Sequence, residues 1–187
     1  MADEPRWHDI AARWWRELQP DDKRPNPADG AGSRAALARL RRCTSAIHAA
    51  TIAEALELAR RLDITHGRHG RFESVLLTAV VLAHVRDDDR SAPVARRLGG
   101  AGPNSRAPMS PLRFARLLNA ETTEEKLIAF RRAVVLLGGT AHVPNLASAL
   151  LDWSDKTRIA WAFDYYGVPP PGPATANPMQ LAAGDAA

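Results

Sequence analysis

The chain has 187 residues, of which 45% are hydrophobic and 25% are charged, a balance typical of a globular protein with one domain or two small ones. Its net charge of +4 and its pI near 9.8 come almost entirely from arginine, since lysine occurs only at positions 23, 126 and 156. The single cysteine, Cys43, excludes an internal disulfide framework and fits a reducing cytoplasm. The first ten residues lack an apolar run and no stretch approaches 18 apolar residues, so we expect a cytoplasmic protein with no signal peptide and no membrane span.

The hydrophobic pattern is helical from the first residues onwards. Trp7, Trp14 and Leu18 fall on one face of a helix over residues 5–19, while Trp15 lies off this stripe and suits either the core or a protein interface. The proline- and glycine-rich stretch 20–33 predicts a loop that ends with Ser33 as the N-cap of the next helix.

The remaining helices are delimited by breaks in the same pattern. Thr122 or Thr123 is a candidate N-cap, and the glycines at 138 and 139 end the helix that follows it. No window alternates with period two for long enough to make a sheet, so the predicted fold is all-α. The predicted helices cover residues 34–47, 51–62, 71–86, 92–99, 111–119, 122–137, 143–152 and 155–166.

The strongest internal boundary is residues 99–111, "GGAGPNSRAPMSP". It predicts two small helical bundles packed into one elongated body, over residues 1–98 and 112–167, with 99–111 as the linker. Residues 168–187 are rich in proline, alanine and glycine without a periodic apolar face, so a disordered C-terminal tail is expected.

The sequence offers little for catalysis. Cys43 shares the apolar side of its helix with Leu37, Leu40 and Ile47, which favours packing over a nucleophilic role. His66 and His69 would need two further metal ligands that no nearby residue supplies, and the aspartates at 87–89 read as a solvated charge run. We therefore expect no catalytic residue, no metal and no cofactor.

Arginine supplies the more informative pattern. Arg41 and Arg42 lie opposite the apolar side of their helix, and Arg113 and Arg116 share a face three residues apart. Arg131 falls between two apolar sectors, so it is either paired or facing a partner. Residues 96–118 contain five arginines and no acidic residue. This suits phosphate contacts along a nucleic-acid backbone, against the alternative of a solvated face with acidic neighbours.

Three segments, in order, resemble the CasB family, the small subunit of the type I-E CRISPR surveillance complex (Cascade). The first two are "ARWWRELQ" and "SRAALARLRRC". The third runs from "LRFARLLNAETTEEKLIAFRRAVVLLGG" to "LLDWSDKTRIAWAFDYY". The resemblance covers about residues 7–166. Within this range, residues 63–110 contain no segment that resembles the family.

The resemblance implies a non-enzymatic, all-helical subunit that binds guide RNA and target and stabilises the displaced DNA strand of the R-loop. The implied partners are the backbone and large Cascade subunits, a second copy of the chain, CRISPR RNA, and single-stranded and target DNA, with no membrane. The predicted nucleic-acid-binding residues, of which Arg68 and Arg71 rest on charge alone, are Arg41, Arg42, Arg113, Arg116, Arg131, Arg132, Lys156, Arg158, Arg68 and Arg71.

Two other functions stay open at this point. The arginines of a purely structural adaptor would pair with acidic partner subunits. A sequence-specific helix-turn-helix regulator is disfavoured, because no helix pairs its arginines with Asn or Gln base readers.

Overall fold

A computed structural model describes residues 6–20, 27–63, 69–100 and 106–169, with the backbone alone at 27–31 and 69–70. Almost all of the regular structure in this part is helical, which confirms the all-α prediction. The helices are α1 (Trp7–Leu18), α2 (Pro27–Arg42), α3 (Ala46–Ala49), α4 (Ala53–Arg61), α5 (His69–Leu82), α6 (Val94–Gly99), α7 (Pro111–Leu118), α8 (Thr123–Leu136), α9 (Val143–Leu151) and α10 (Asp155–Tyr166).

The ends of α8 follow from its sequence. Thr122 is the N-cap: its side chain accepts a hydrogen bond from the backbone N–H of Glu125, whose carboxylate accepts one from the backbone N–H of Thr122 in return. Gly138 and Gly139 follow the helix with φ of +69° and +81°, a conformation that glycine adopts without strain. The predicted start and stop of this helix are confirmed.

The beginning of α2 differs from the prediction. This helix starts at Pro27, since proline in the first turn lacks only an N–H that would have no helical partner. The predicted N-cap at Ser33 is therefore wrong. The helix also ends at Arg42, so Ile47 falls in the separate α3 with its side chain 83% exposed, and its predicted place beside Cys43 is wrong.

Helix α5 is the centre of the core. Every residue from Val75 to Ala83 is buried, because this stretch is apolar on all sides of the helix. Helices α3, α4, α8 and α9 pack around it. Its one buried polar side chain in that stretch, Thr78, donates its hydroxyl to the carbonyl oxygen of Ser74 at 2.7 Å.

Helices from both sides of residues 99–111 share this core. α1 packs against α9, and α6 packs against α10. Trp15 of α1 is buried in the core, which was one of the two places that the sequence allowed for it. Its Nε1 donates to the carbonyl oxygen of Val85 at 3.2 Å. The division into bundles of 1–98 and 112–167 stays a prediction. Residues 101–105 and most of the predicted tail, 170–187, lie outside the described residues.

Two short strands link the middle of the chain to the end of α8. β1 (Asp87–Asp88) pairs in parallel with β2 (Thr140–Ala141). Strands of two residues each are too short to produce the alternation by which a sheet is predicted.

The aspartates at 87–89 are more than a solvated run, which corrects the prediction for Asp88 and Asp89. Asp88 accepts a hydrogen bond from the backbone N–H of Val143 at the start of α9, at 2.9 Å, and pairs with Arg90 at 2.8 Å. Asp89 pairs with Arg97 of α6 at 3.3 Å. These two carboxylates therefore join α6 and α9 to the β1–β2 pair.

Aromatic side chains fix the last helix. Phe130, Trp153 and Trp161 contact one another edge to face, with ring centroids 4.9–5.5 Å apart. Tyr165 stacks on Phe114 at 3.9 Å, and its hydroxyl donates to the carbonyl oxygen of Met109 at 2.6 Å. α10 is thus attached to α7, to α8 and to the segment before α7.

Candidate nucleic-acid interface

Three of the predicted arginines meet in one groove, which we call the α7–α8 groove. It has a volume of about 410 Å³, and Arg113, Arg116 and Arg132 line it together with Ile128 and Glu125. Arg113 and Arg116 come from α7, whose opposite face buries Phe114 and Leu117 in the core. The three guanidinium groups are exposed, and none forms an ion pair with a carboxylate of the described residues.

The carboxylate that lines this groove is already engaged. Oε2 of Glu125 accepts hydrogen bonds from the backbone N–H groups of Glu121 and Thr122, at 3.0 and 3.1 Å. These bonds stabilise the ionised form and lower the pKa of Glu125. The α7–α8 groove therefore keeps three arginines available to an anionic ligand.

A second depression, which we call the α5–α8 cleft, contains Arg41. Its volume is about 340 Å³, and its polar lining residues are Arg41, His84 and Arg86. Nε of Arg41 donates to the carbonyl oxygen of Ala83 at 2.6 Å, which fixes the side chain against the end of α5. Val134 and Val135 of α8 form the apolar wall.

Arg131 points inwards rather than into either depression. Its Nη2 donates to the carbonyl oxygen of Arg41 at 3.0 Å and, at shorter range, to that of Cys43. Burial lowers the pKa of Arg131. A cation at these carbonyls also complements the negative end of the α2 dipole. Of the two sequence interpretations, the described contacts favour pairing, and they hold Arg131 against the carbonyl oxygens of Arg41 and Cys43 at the end of α2.

The other predicted residues are spread over the surface. Arg42 and Lys156 are exposed, and Arg158 is partly buried and pairs with Asp155 at 3.7 Å. Arg71 stacks over the ring of Trp7, 4.5 Å from its centroid. Arg68, and the side chains of the two histidines weighed as metal ligands, His66 and His69, lie outside the described residues.

Other arginines are neutralised by acidic neighbours. Arg61 bridges Glu17 of α1 and Glu57 of α4, at 2.6 and 2.9 Å, and Arg60 pairs with Glu57 at 2.7 Å. The two guanidinium groups lower the pKa of Glu57 to about 2. This network between α1 and α4 is the solvated, paired face that the sequence left as an alternative, and it lies apart from the α7–α8 groove.

Cys43 is enclosed in the core, as predicted. Burial raises the pKa of its thiol, although Arg131 and Arg42 act in the opposite direction. A thiol with a raised pKa supplies little thiolate at neutral pH, which supports its interpretation as a packing residue.

Sequence reasoning missed His84 and Arg86. Arg86 precedes three aspartates, so its local charge pattern looked acidic, and His84 follows the apolar helix α5 by two residues. Burial, and then the charges of Arg131 and Arg41, lower the pKa of His84 to about 4. Its Nε2 is buried and has no hydrogen-bond partner in the described part of the chain. The exposed Ile128 and Val135 of α8 were also missed.

The low pKa of His84 predicts a loss of stability in acid. The unfolded chain takes up a proton near the ordinary pKa of 6.5, whereas the folded chain stays neutral until about 4. This difference stabilises the folded chain fully above pH 6.5, and the stabilisation is lost as the pH falls towards 4. The full shift corresponds to about 3.4 kcal/mol, which solvent screening at the partly exposed His84 reduces to about 2–3 kcal/mol. Urea unfolding at several pH values should show a shallower decline in His84→Gln than in the wild type. Equal declines would contradict the prediction.

The family is identified by a direct match. The model described as CRISPR-associated protein Cse2 matches residues 36–166, which is most of the chain. The chain belongs to the Cse2 family. The match includes both depressions described above and confirms the resemblance expected from the sequence. No curated protein matches the chain.

Two solved structures share the Cse2 fold of this chain. CasB from Thermus thermophilus aligns with a TM-score of 0.62 at 23% identity, over 86% of this chain and 98% of that chain. A chain of E. coli Cascade bound to a PAM-containing dsDNA target with a 32-nt spacer aligns with a TM-score of 0.60 at 18% identity, over 82% of this chain and 92% of that chain. Among the described residues, no helix is long and apolar enough to cross a membrane.

Proposed function

We propose that the chain is a non-enzymatic, nucleic-acid-binding subunit of a type I-E Cascade complex. It binds guide RNA and target and stabilises the displaced single DNA strand of the R-loop through arginine–phosphate contacts. Its protein partners are the backbone and large subunits and a second copy of itself. The chain's membership of the Cse2 family and the E. coli Cascade structure with its dsDNA target support this assembly.

The observation that carries the proposal is the α7–α8 groove. Among the described residues, three exposed arginines, Arg113, Arg116 and Arg132, line one depression without a carboxylate partner, while Arg60 and Arg61 between α1 and α4 are paired. A guanidinium donates two parallel hydrogen bonds to phosphate oxygens, so this lining suits a phosphodiester backbone. The described residues that line the groove include no aromatic side chain on which a base would stack, so binding with little sequence preference is expected.

The test is the salt dependence of binding to single-stranded DNA. With the five exposed arginines at positions 41, 42, 113, 116 and 132 in contact with phosphates, log K should fall against log salt concentration with a slope of about −3.5, and any further phosphate contact makes it steeper. Fluorescence anisotropy of a labelled dT20 oligonucleotide over a salt series measures this slope. Oligonucleotides of different sequence should give similar affinities. A slope near zero would contradict phosphate binding.

A structural adaptor is the second candidate, because α10 carries an exposed apolar face. Ile159 and Tyr166 of α10, and Val168 just after this helix, are exposed to between 51% and 61% and line one surface that suits contact with another protein. Under this alternative the arginines pair with acidic partner subunits. Charge reversal at Arg113 and Arg116 would then abolish assembly in native mass spectrometry while leaving DNA binding by the isolated chain unchanged.

A further inference from the structure

Among the described residues, the α5–α8 cleft collects positively charged side chains and no acidic side chain. Arg41 comes from α2 and Arg86 from the segment after α5, and both are exposed. The described residues that line the cleft include no carboxylate, and neither arginine forms an ion pair in this part of the chain. An arrangement of this kind is stabilised by a bound anion.

The surroundings of His84, which lines the cleft, show the same excess of positive charge. The charged groups facing it are Arg41 from α2, Arg131 from α8 and, two residues along the chain, Arg86. Its pKa is lowered to about 4, and its buried Nε2 has no hydrogen-bond partner among the described residues. An anion next to these cations would offset their charge and favour the protonated imidazole, which donates from both ring nitrogens.

We propose that Arg41, Arg86 and His84 form a second phosphate-binding site, occupied by the same nucleic-acid strand that lies in the α7–α8 groove. This inference rests on the proposed function and extends it to residues that the sequence did not indicate. The two arginines hold the phosphate next to the imidazole of His84, which lines the same cleft.

Helix α8 supplies the path between the two sites. Ile128, Arg132 and Val135 recur at four and then three residues, so they share the exposed face of this helix. Ile128 and Arg132 line the α7–α8 groove, and Val135 lines the α5–α8 cleft. This stretch is about 10 Å long. Ile128 and Val135 are each 67% exposed and would contact sugars and bases between the two phosphate sites.

The test compares single charge removals in the full-length chain. Arg86→Gln should weaken binding of dT20 about fivefold at 0.1 M salt and make the salt slope shallower by about 0.7, as expected for one lost phosphate contact. Arg16→Gln is the matched control, because Arg16 is an exposed arginine of α1 outside both depressions. Equal affinities of the two variants would overturn the proposal.

NMR titration of His84 provides a readout that a structural role would not change. In histidine-labelled protein, addition of saturating dT20 should raise the pKa of His84 by one unit or more from its low value, and Arg86→Gln should reduce this rise. An unchanged His84 while Arg113→Gln/Arg116→Gln weakens binding would overturn this inference and leave the proposed function intact. Failure of dT20 to bind the wild type would overturn both.

Discussion

Substitution of Gly99 by alanine should destabilise the protein by about 3 kcal/mol or more, since the added methyl group has no space. Gly99 is the last residue of α6, where this helix packs against α10. A Cβ at this position would lie 1.9 Å from the carbonyl oxygen of Tyr165 and 2.8 Å from its carbonyl carbon. The obstacle is backbone, so no rotamer change relieves it, and α10 must move away from α6.

Such a movement would disturb more than one contact. Tyr165 stacks on Phe114 and donates its hydroxyl to Met109, so a shift of α10 loosens its attachment to α7 as well. Urea unfolding followed by tryptophan fluorescence measures the loss. Gly32→Ala is the control: Gly32 lies in α2, no described residue comes within 4 Å of an added Cβ, and alanine should stabilise the protein by about 0.5–1 kcal/mol. Similar effects of the two substitutions would show that the α6–α10 contact is looser than described.

The second large effect is expected for nucleic-acid binding. Arg113→Gln/Arg116→Gln removes two of the three arginines of the α7–α8 groove and should weaken dT20 binding tenfold or more at 0.1 M salt. The salt slope should become shallower by about 1.4, since each phosphate contact contributes about 0.7. The loss should be the same for all oligonucleotide sequences, because the contacts are to the backbone.

The chain contains a closely matched control for this pair. Arg13 and Arg16 are also exposed and three residues apart on one helix, α1, and they lie outside both proposed phosphate sites. Arg13→Gln/Arg16→Gln has the same net charge as the groove variant. A difference in dT20 affinity between the two variants therefore reflects the position of the arginines and not the total charge. We expect this control to bind dT20 within about twofold of the wild type. If both variants lose affinity equally, binding depends on net charge alone.

The features that could be predicted best from the sequence are helix ends and helix faces, which depend on residues close together in the chain. The capping box of Thr122 and Glu125, the glycines after α8 and the apolar pattern of α10 are local signals, and the helices predicted from residue 51 onwards agree with the structure to within a few residues at each end. The start of α2 was missed because the glycines at 30 and 32 and the proline at 27 normally indicate a loop.

The candidate site could be predicted only in part, because it depends on how helices that are distant in the sequence pack together. The shared face of Arg113 and Arg116 follows from helical spacing, but their meeting with Arg132 depends on how α7 packs on α8. The inward direction of Arg131 depends on the end of α2, about 90 residues earlier in the chain. His84 and Arg86 join Arg41 only in the folded protein, so their spacing in the sequence carries no signal.

The packing of α1 on α9 has a consequence for the order in which the protein is made. The first helix places Trp14 and Trp15 in the core, but its most extensive partner is α9, formed by residues 143–151. During synthesis from the N-terminus, α1 leaves the ribosome long before this partner exists. Its apolar face is then incompletely covered until the last third of the chain emerges, a period in which a chaperone or another chain can bind it.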